Sequence, residues 1–226
     1  MTLSEALQDQ KLHAVLDTSL SAENCYVMDF TAQNESLAKV NLQDKGAFEA
    51  YVQEVLAMAK KPIGVGGYLE HRVLYQRSEH FDGAGEARSL HLGIDLWAPD
   101  HTPIYAPIGG KIHSFADNQG FGNYGPTVIL EHQVKGFTFF TLYGHLSRAS
   151  MPAWTKGKEV TAGEQIATLG DYTENGDWPA HLHFQVMTDM LTNEGDFPGV
   201  APPSEKDFWQ QVCPNPNLIL GCEVLP

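Results

Sequence analysis

Five residues in three short segments have the types that do hydrolytic metal chemistry. They are His91 and Asp95 in HLGID, His145 in TLYGHLS, and His181 and His183 in HLH. Imidazole and carboxylate are zinc ligands, bound at about 2.0–2.2 Å. A catalytic zinc takes three protein ligands and keeps one position open for water. Two histidines and one aspartate meet that requirement and leave a formal charge of about +1, so bound water is acidified toward a pKa of about 7. The two remaining histidines are then available to take a proton and to stabilise a developing oxyanion.

The segments must be able to bring these groups together. In AHLHFQV, His181, His183 and Gln185 alternate with Leu182, Phe184 and Val186. That period of two predicts a half-buried strand, with the two imidazoles on one face and roughly 6–7 Å apart. In HLGID, His91 and Asp95 also share a face by alternation. On a straight strand they would stand about 13 Å apart, too far for one ion. Glycine within a strand marks a bend or a close approach. The expectation is therefore a bend at Gly93.

HLGID, LYGHLS and HLHF together resemble the motifs of the M23 zinc metallopeptidases, the lysostaphin-like peptidoglycan endopeptidases. APDHTPIYAPIGGKI and GKEVTAGEQIATLG are similar to the connecting text and follow in the same order. The resemblance covers about residues 68–188. It implies that His91, Asp95 and His183 bind Zn²⁺ and that His145 and His181 are the catalytic pair. It implies a mainly β fold with α appendages (α+β), a compact antiparallel or hybrid-barrel core with a narrow groove over the metal. The implied substrate is a short glycine- or D-residue-containing peptide, or a peptidoglycan fragment. EHRVLY, ENGDWPAHLHFQ, GDFPGV and CPNPNLIL further resemble the M23 segment of bacterial fusion proteins that end in a class III aminotransferase. Where the family has a Gly-x-Arg element, this chain has Arg72 but places Glu70 at the glycine.

Two aromatic residues are candidates for substrate contact. Tyr143 lies two residues before His145 and would share its face. Trp178 lies in the loop that runs into His181, where it either packs on substrate or braces the loop. The candidate groove walls are the connections 74–89, 118–124, 148–158 and 171–180. His13, His71, His80, His101, His113 and His132 have no comparable context and read as ordinary polar residues. His132 is expected to be exposed at a strand end.

Composition limits the partners. The net charge is −14, with 14 basic residues against 28 acidic. Nucleic-acid binding needs a basic footprint, and anionic membranes repel such a chain. No run of 18 apolar residues is present to span a bilayer. The N-terminal stretch MTLSEALQDQKLHAVLD shows no basic region followed by an apolar one, so a cytoplasmic protein is expected, with a periplasmic or exported one as the alternative. Cys213 and Cys222 would close a small loop in an oxidising compartment and stay free thiols otherwise.

Three regions are expected. Residues 1–66 form a small α/β segment, with a capping box at Thr2–Glu5, a strand near 26–30 and a helix from Asp44 to Lys60 that is broken by Pro62 and the glycine run at 64–67. Residues 67–188 form the zinc peptidase domain, with strands near 90–97, 103–106, 110–116, 127–132, 137–143, 165–169 and 181–187. Residues 189–226 form a proline-rich tail packed on the core. A phosphocarrier or biotinyl-like hybrid barrel is the alternative from another class. The AP-x-x-G segment follows the histidine strand here, whereas the phosphocarriers place it before. A non-catalytic M23-like binding module is the third reading; such modules typically lose ligands, and this chain keeps all three.

Overall fold

The computed structural model describes residues 1–74 and 86–226. The strands, in chain order, are β1 (Cys25–Met28), β2 (Ile63–Gly66), β3 (Leu90–His91), β4 (Ile94–Trp97), β5 (Pro103–Tyr105), β6 (Gly110–Asn118), β7 (Gly125–Val134), β8 (Phe137–Gly144), β9 (Glu159–Val160), β10 (Gln165–Thr168), β11 (His181–Met187) and β12 (Val200–Ala201). The helices are α1 (Leu3–Leu7), α2 (Lys45–Ala59), α3 (Lys206–Val212) and α4 (Asn217–Leu220). The fold is mainly β, as expected. One eight-stranded sheet runs β1-β2-β4-β11-β8-β7-β6-β9. Its β1–β2 pair is parallel, while every other pairing in it is antiparallel. No helix of the described residues is long and apolar enough to cross a membrane.

The helix signals work as local chemistry predicts. Thr2 and Glu5 form a reciprocal capping box at α1. The Asp44 carboxylate accepts from the Ala47 amide to start α2, and Lys60 ends it in the left-handed conformation. The glycine run beyond Pro62 behaves differently from the expectation. It stops the helix, but Ile63–Gly66 is itself strand β2, wholly buried between β1 and β4. A Cβ at Gly66 would lie 2.7 Å from the Trp97 ring. Glycine here permits close approach within a sheet rather than breaking one.

Strand β11 also departs from expectation. All seven of its residues are buried, not half of them. It is a central strand, paired with β4 on one side and β8 on the other. Its apolar face enters the main core through Leu182, Phe184 and Val186. Its polar face is covered by Pro198, whose carbonyl accepts from the Gln185 side chain at 3.0 Å, and by Tyr124. The residues after 188 are more regular than an irregular tail: they supply β12, α3 and α4.

Candidate metal centre and active site

The segment HLGID is two strands rather than one. Leu90–His91 pairs with Val200–Ala201, and Ile94–Trp97 pairs with β11 and β2. The chain turns between them at Leu92–Gly93, so His91 and Asp95 meet despite their spacing. His91 Nε2 is 3.2 Å from Asp95 Oδ1. Gly93 is required by this turn: a Cβ there would stand 2.6 Å from His183 Cε1. Register places His183 opposite Asp95 on the neighbouring strand, and His183 Nδ1 lies 3.0 Å from Asp95 Oδ1. The third side of the triangle, His91 Nε2 to His183 Nδ1, is 3.0 Å.

This triangle fits zinc. A tetrahedral ion with bonds of about 2.1 Å holds its ligand atoms roughly 3.4 Å apart, and the observed sides need only a few tenths of an ångström of expansion. The ligands' other atoms are held to suit. His91 Nδ1 is 3.0 Å from the Gly67 carbonyl, which fixes that nitrogen as the donor and leaves Nε2 unprotonated. His183 Nε2 is 2.9 Å from Gln185 Oε1, leaving Nδ1 for a metal. Gln185 is itself oriented by donating to the Pro198 carbonyl at 3.0 Å and to Cys213 Sγ at 3.3 Å. Gln185 was visible on the histidine face of the strand. Its role as an orienting partner depends on residues from the tail.

Arg72 is buried behind the triangle. Its Nη1 donates to Asp95 Oδ2, and its Nε donates to Glu70 Oε2 at 2.7 Å. The guanidinium rests near the faces of Phe30 and Trp97, at 5.6 and 5.7 Å. Glu70, which replaces the expected glycine, thus supplies a second carboxylate to this arginine. Burial alone would raise the Asp95 pKa, but His91 and Arg72 outweigh it and hold the carboxylate well below its usual range. Burial, with Arg72 nearby, pushes His91 down to about 4.

His145 and His181 form the opposite wall, with ring centroids 4.2 Å apart. The His145 Nδ1 is 2.8 Å from the Asn175 carbonyl, and His181 Nδ1 is 2.7 Å from the Pro179 carbonyl. Each keeps its Nε2 as a proton acceptor. Burial lowers both pKa values, His181 to about 4. His145 has a positive φ of 61°, unusual for a residue with a Cβ and common where function sets the backbone. Its amide donates to the Tyr124 carbonyl at 2.8 Å, and its carbonyl accepts from Gly170 at 3.0 Å, which hold it there. Asn175 organises the 171–180 loop: its Nδ2 donates to the carbonyls of Gly170 and Trp178, and its Oδ1 accepts from the Trp178 amide. The Asn-Gly turn at 175–176 was the only sequence sign of it.

The two aromatic candidates separate. Tyr143 is fully buried in the core, packs edge-on against Phe184 and accepts from Thr141 at 3.1 Å. It therefore makes no substrate contact. It alternates to the core face because β8 ends at Gly144 and the backbone turns over at His145. The tyrosine that reaches the site is Tyr124, whose hydroxyl is 3.4 Å from His183 Nε2 and whose ring faces both His145 and His183. Trp178 lies edge-on to both His145 and His181 at 6.1 Å, and contacts Phe48 of α2 behind them. Trp97 stacks on His181 at 5.2 Å.

These groups line a cavity of about 210 Å³. Of the expected walls, Leu74, Arg88, Gly122–Tyr124 and Trp178 contribute. Among the described residues, 148–158 contributes nothing, and its place is taken by tail residues from Asn193 to Val200. His80 and most of the 74–89 connection lie outside the described residues. His132, expected to be exposed, is buried inside β7, with Nδ1 2.9 Å from the Gly109 carbonyl and Nε2 2.7 Å from Thr141 Oγ1. Phe139 of the neighbouring strand β8 stacks on its ring at 4.9 Å.

Residues 89–194 match the family described as Peptidase family M23. This segment, just under half of the chain, is similar to the M23 peptidases. The matched segment contains all four site histidines and Asp95, whereas Arg72, Glu70 and Gly199 lie outside it. The chain is 33% identical over 144 residues to the DD-carboxypeptidase/endopeptidase Mpg of Neisseria meningitidis, covering 64% of this chain and 27% of that one. It is 35% identical over 101 residues to the peptidoglycan DD-endopeptidase ShyC of Vibrio cholerae, covering 45% and 21%. It therefore spans about a quarter of the length of these curated relatives. Among solved structures, a zinc-containing peptidase from Vibrio cholerae is 28% identical, with a TM-score of 0.36, over 43% of this chain and 27% of that one.

Proposed function

We propose that this chain is a zinc-dependent endopeptidase acting on peptidoglycan-type peptides that contain glycine or D-residues. The observation that carries the proposal is the convergence of His91 Nε2, Asp95 Oδ1 and His183 Nδ1 within 4.8 Å of one another, facing a second histidine pair at 4.2 Å. His91, Asp95 and His183 hold the ion; bound there, zinc supplies Lewis acidity and lowers the pKa of a water to about 7.

The chain's own residues do the rest. His145 and His181 are neutral and each presents Nε2 as a base. One takes the proton of the attacking water and, as imidazolium, returns it to the leaving amine nitrogen. Tyr124 O–H faces the same cavity and is positioned to donate to a developing oxyanion. Trp97 and Trp178 exclude water around His181, which strengthens each of these interactions. The similarity to a peptidoglycan DD-endopeptidase and to a DD-carboxypeptidase/endopeptidase supports this reading. We infer further that the chain belongs with the M23 segments of aminotransferase fusions, a reading supported by the likeness of ENGDWPAHLHFQ and CPNPNLIL to them.

The test is digestion of purified muropeptides and a glycine- and D-residue-containing peptide panel, with mass spectrometry of the products. Cleavage that is lost with a chelator and restored by zinc is the expected result. An intact panel with zinc bound would remove the peptidase reading.

A further inference from the structure

The two histidines of the catalytic wall come from different strands, His145 just after β8 and His181 at the start of β11. Both nevertheless take their orientation from one loop. His145 Nδ1 is 2.8 Å from the Asn175 carbonyl, and His181 Nδ1 is 2.7 Å from the Pro179 carbonyl. A carbonyl only accepts, so each Nδ1 carries the proton and each Nε2 keeps its lone pair. A free imidazole prefers the opposite arrangement, with the proton on Nε2. The loop therefore imposes the form that can act as a base, and two carbonyls must be held in place for it to do so.

One side chain holds both. Asn175 is fully buried and does not line the cavity. Every polar atom of its amide is used. Its Nδ2 donates to the Gly170 carbonyl at 3.2 Å and to the Trp178 carbonyl at 3.0 Å, and its Oδ1 accepts from the Trp178 amide at 3.1 Å. The bond to Gly170 reaches His145, because the Gly170 amide donates to the His145 carbonyl at 3.0 Å. The bonds to Trp178 reach His181. They fix the peptide plane that joins Trp178 to Pro179. Proline presets its own φ, so a single torsion remains to aim the Pro179 carbonyl at His181 Nδ1. The backbone of Asn175 is anchored in turn: its amide donates to the Asp171 carbonyl at 3.1 Å, and the Gly176 carbonyl accepts from the Gly122 amide at 2.9 Å.

We propose that Asn175 is a positioning residue for catalysis, setting the proton-accepting tautomer of His145 and His181 together through the loop it braces. The proposal rests on the reading of these two histidines as proton acceptors. Its Nδ2 donors carry the effect, since they fix the two carbonyls from which the rest of the loop follows.

The test reads the tautomers directly. The zinc-loaded full chain is labelled with nitrogen-15 at histidine, and long-range proton–nitrogen correlations are assigned with His145→Ala and His181→Ala. Both rings of the parent should show a protonated Nδ1 and a bare Nε2. In Asn175→Ala, and in the milder Asn175→Ser, both should shift toward a proton on Nε2. Zinc should stay bound, and kcat per folded molecule should fall by about 10²-fold at an unchanged KM. A structural brace alone would lower the thermal midpoint and leave the tautomers of the folded molecule as they were; unmoved tautomers at either histidine would overturn the proposal. So would a proton on Nε2 of either ring in the parent, a result that needs no variant to fold, or loss of zinc from Asn175→Ser. The tautomers are read without turnover, so an uncleaved peptide panel bears on the peptidase reading alone.

Discussion

Arg72 and Asp95 share one carboxylate oxygen while the histidines share the other. Arg72 Nη1 binds Oδ2; Oδ1 is left to His91 and His183 at 3.2 and 3.0 Å. The aspartate is thereby presented with one oxygen toward the ion site, and its plane is set from behind. Glu70 holds the other side of the guanidinium at 2.7 Å.

Arg72→Met should lower zinc affinity about 10–100-fold, the usual cost of losing a partner that orients a ligand. It should also destabilise the metal-free chain by about 3–5 kcal/mol, since the buried Asp95 and Glu70 charges lose their counterion. Competition with a chelator gives the first quantity and urea unfolding the second. Glu70→Gln should move affinity less, because Asp95 keeps its arginine. Unaltered zinc affinity in the Arg72 variant would reduce it to a structural ion pair.

Ligands and catalysts should separate cleanly. Asp95→Ala removes one of three protein ligands and should purify without zinc by metal analysis. His145→Ala and His181→Ala should retain zinc and lose about 10²–10⁴-fold in turnover. Loss of metal from either of the last two would mean that it belongs with the ligands.

The two tyrosines should behave oppositely. Tyr124→Phe removes a hydroxyl 3.4 Å from His183 Nε2, and kcat/KM should fall by about 10–100-fold. Tyr143→Phe removes a core hydrogen bond to Thr141, worth about 1 kcal/mol of stability, and should leave kinetics per folded molecule unchanged. Parallel turnover and unfolding curves decide the point; an active Tyr124→Phe would take that hydroxyl out of the chemistry.

His132 should make the fold acid-sensitive. Burial lowers its pKa from 6.5 to about 4, so the folded state binds fewer protons than the unfolded one between those values. The stability associated with the neutral ring is complete above pH 6.5 and is lost as the pH falls toward 4, by about 3 kcal/mol in all. Urea midpoints of the zinc-loaded protein from pH 7 to 5 should fall less steeply in His132→Asn than in the parent. Parallel slopes would show that His132 does not titrate in that window.

Local pattern carried much of this architecture. Alternation in HLHFQV located β11, and the conflict between alternation and distance in HLGID located the turn at Gly93. What could not be read depended on contacts distant in sequence. The glycine run at 64–67 looks like a stop until Trp97 and Arg72 pack against it. His132 looks like a polar strand end until the 109 carbonyl and Thr141 close over it. Tyr143 and Tyr124 exchange places because the backbone turns over at His145, and a positive φ there leaves no period to follow. The tail's share of the cavity wall, and the bond from the Glu223 amide to the Leu20 carbonyl, join parts of the chain that no short window contains.

The space allotted to His183 has a practical consequence for mutational scanning. It is bounded by two positions that have no side chain. A Cβ at Gly93 would stand 2.6 Å from its Cε1, and one at Gly199 would stand 1.9 Å from the Tyr124 hydroxyl. Alanine substitution is ordinarily a subtraction that reports what a side chain does. At these two sites it is an addition, and a single methyl would displace a ligand that no chemistry-based scan had touched. Silent-looking positions 93 and 199 should therefore rank with the ligands in any activity map of this chain, although neither has a functional group to lose.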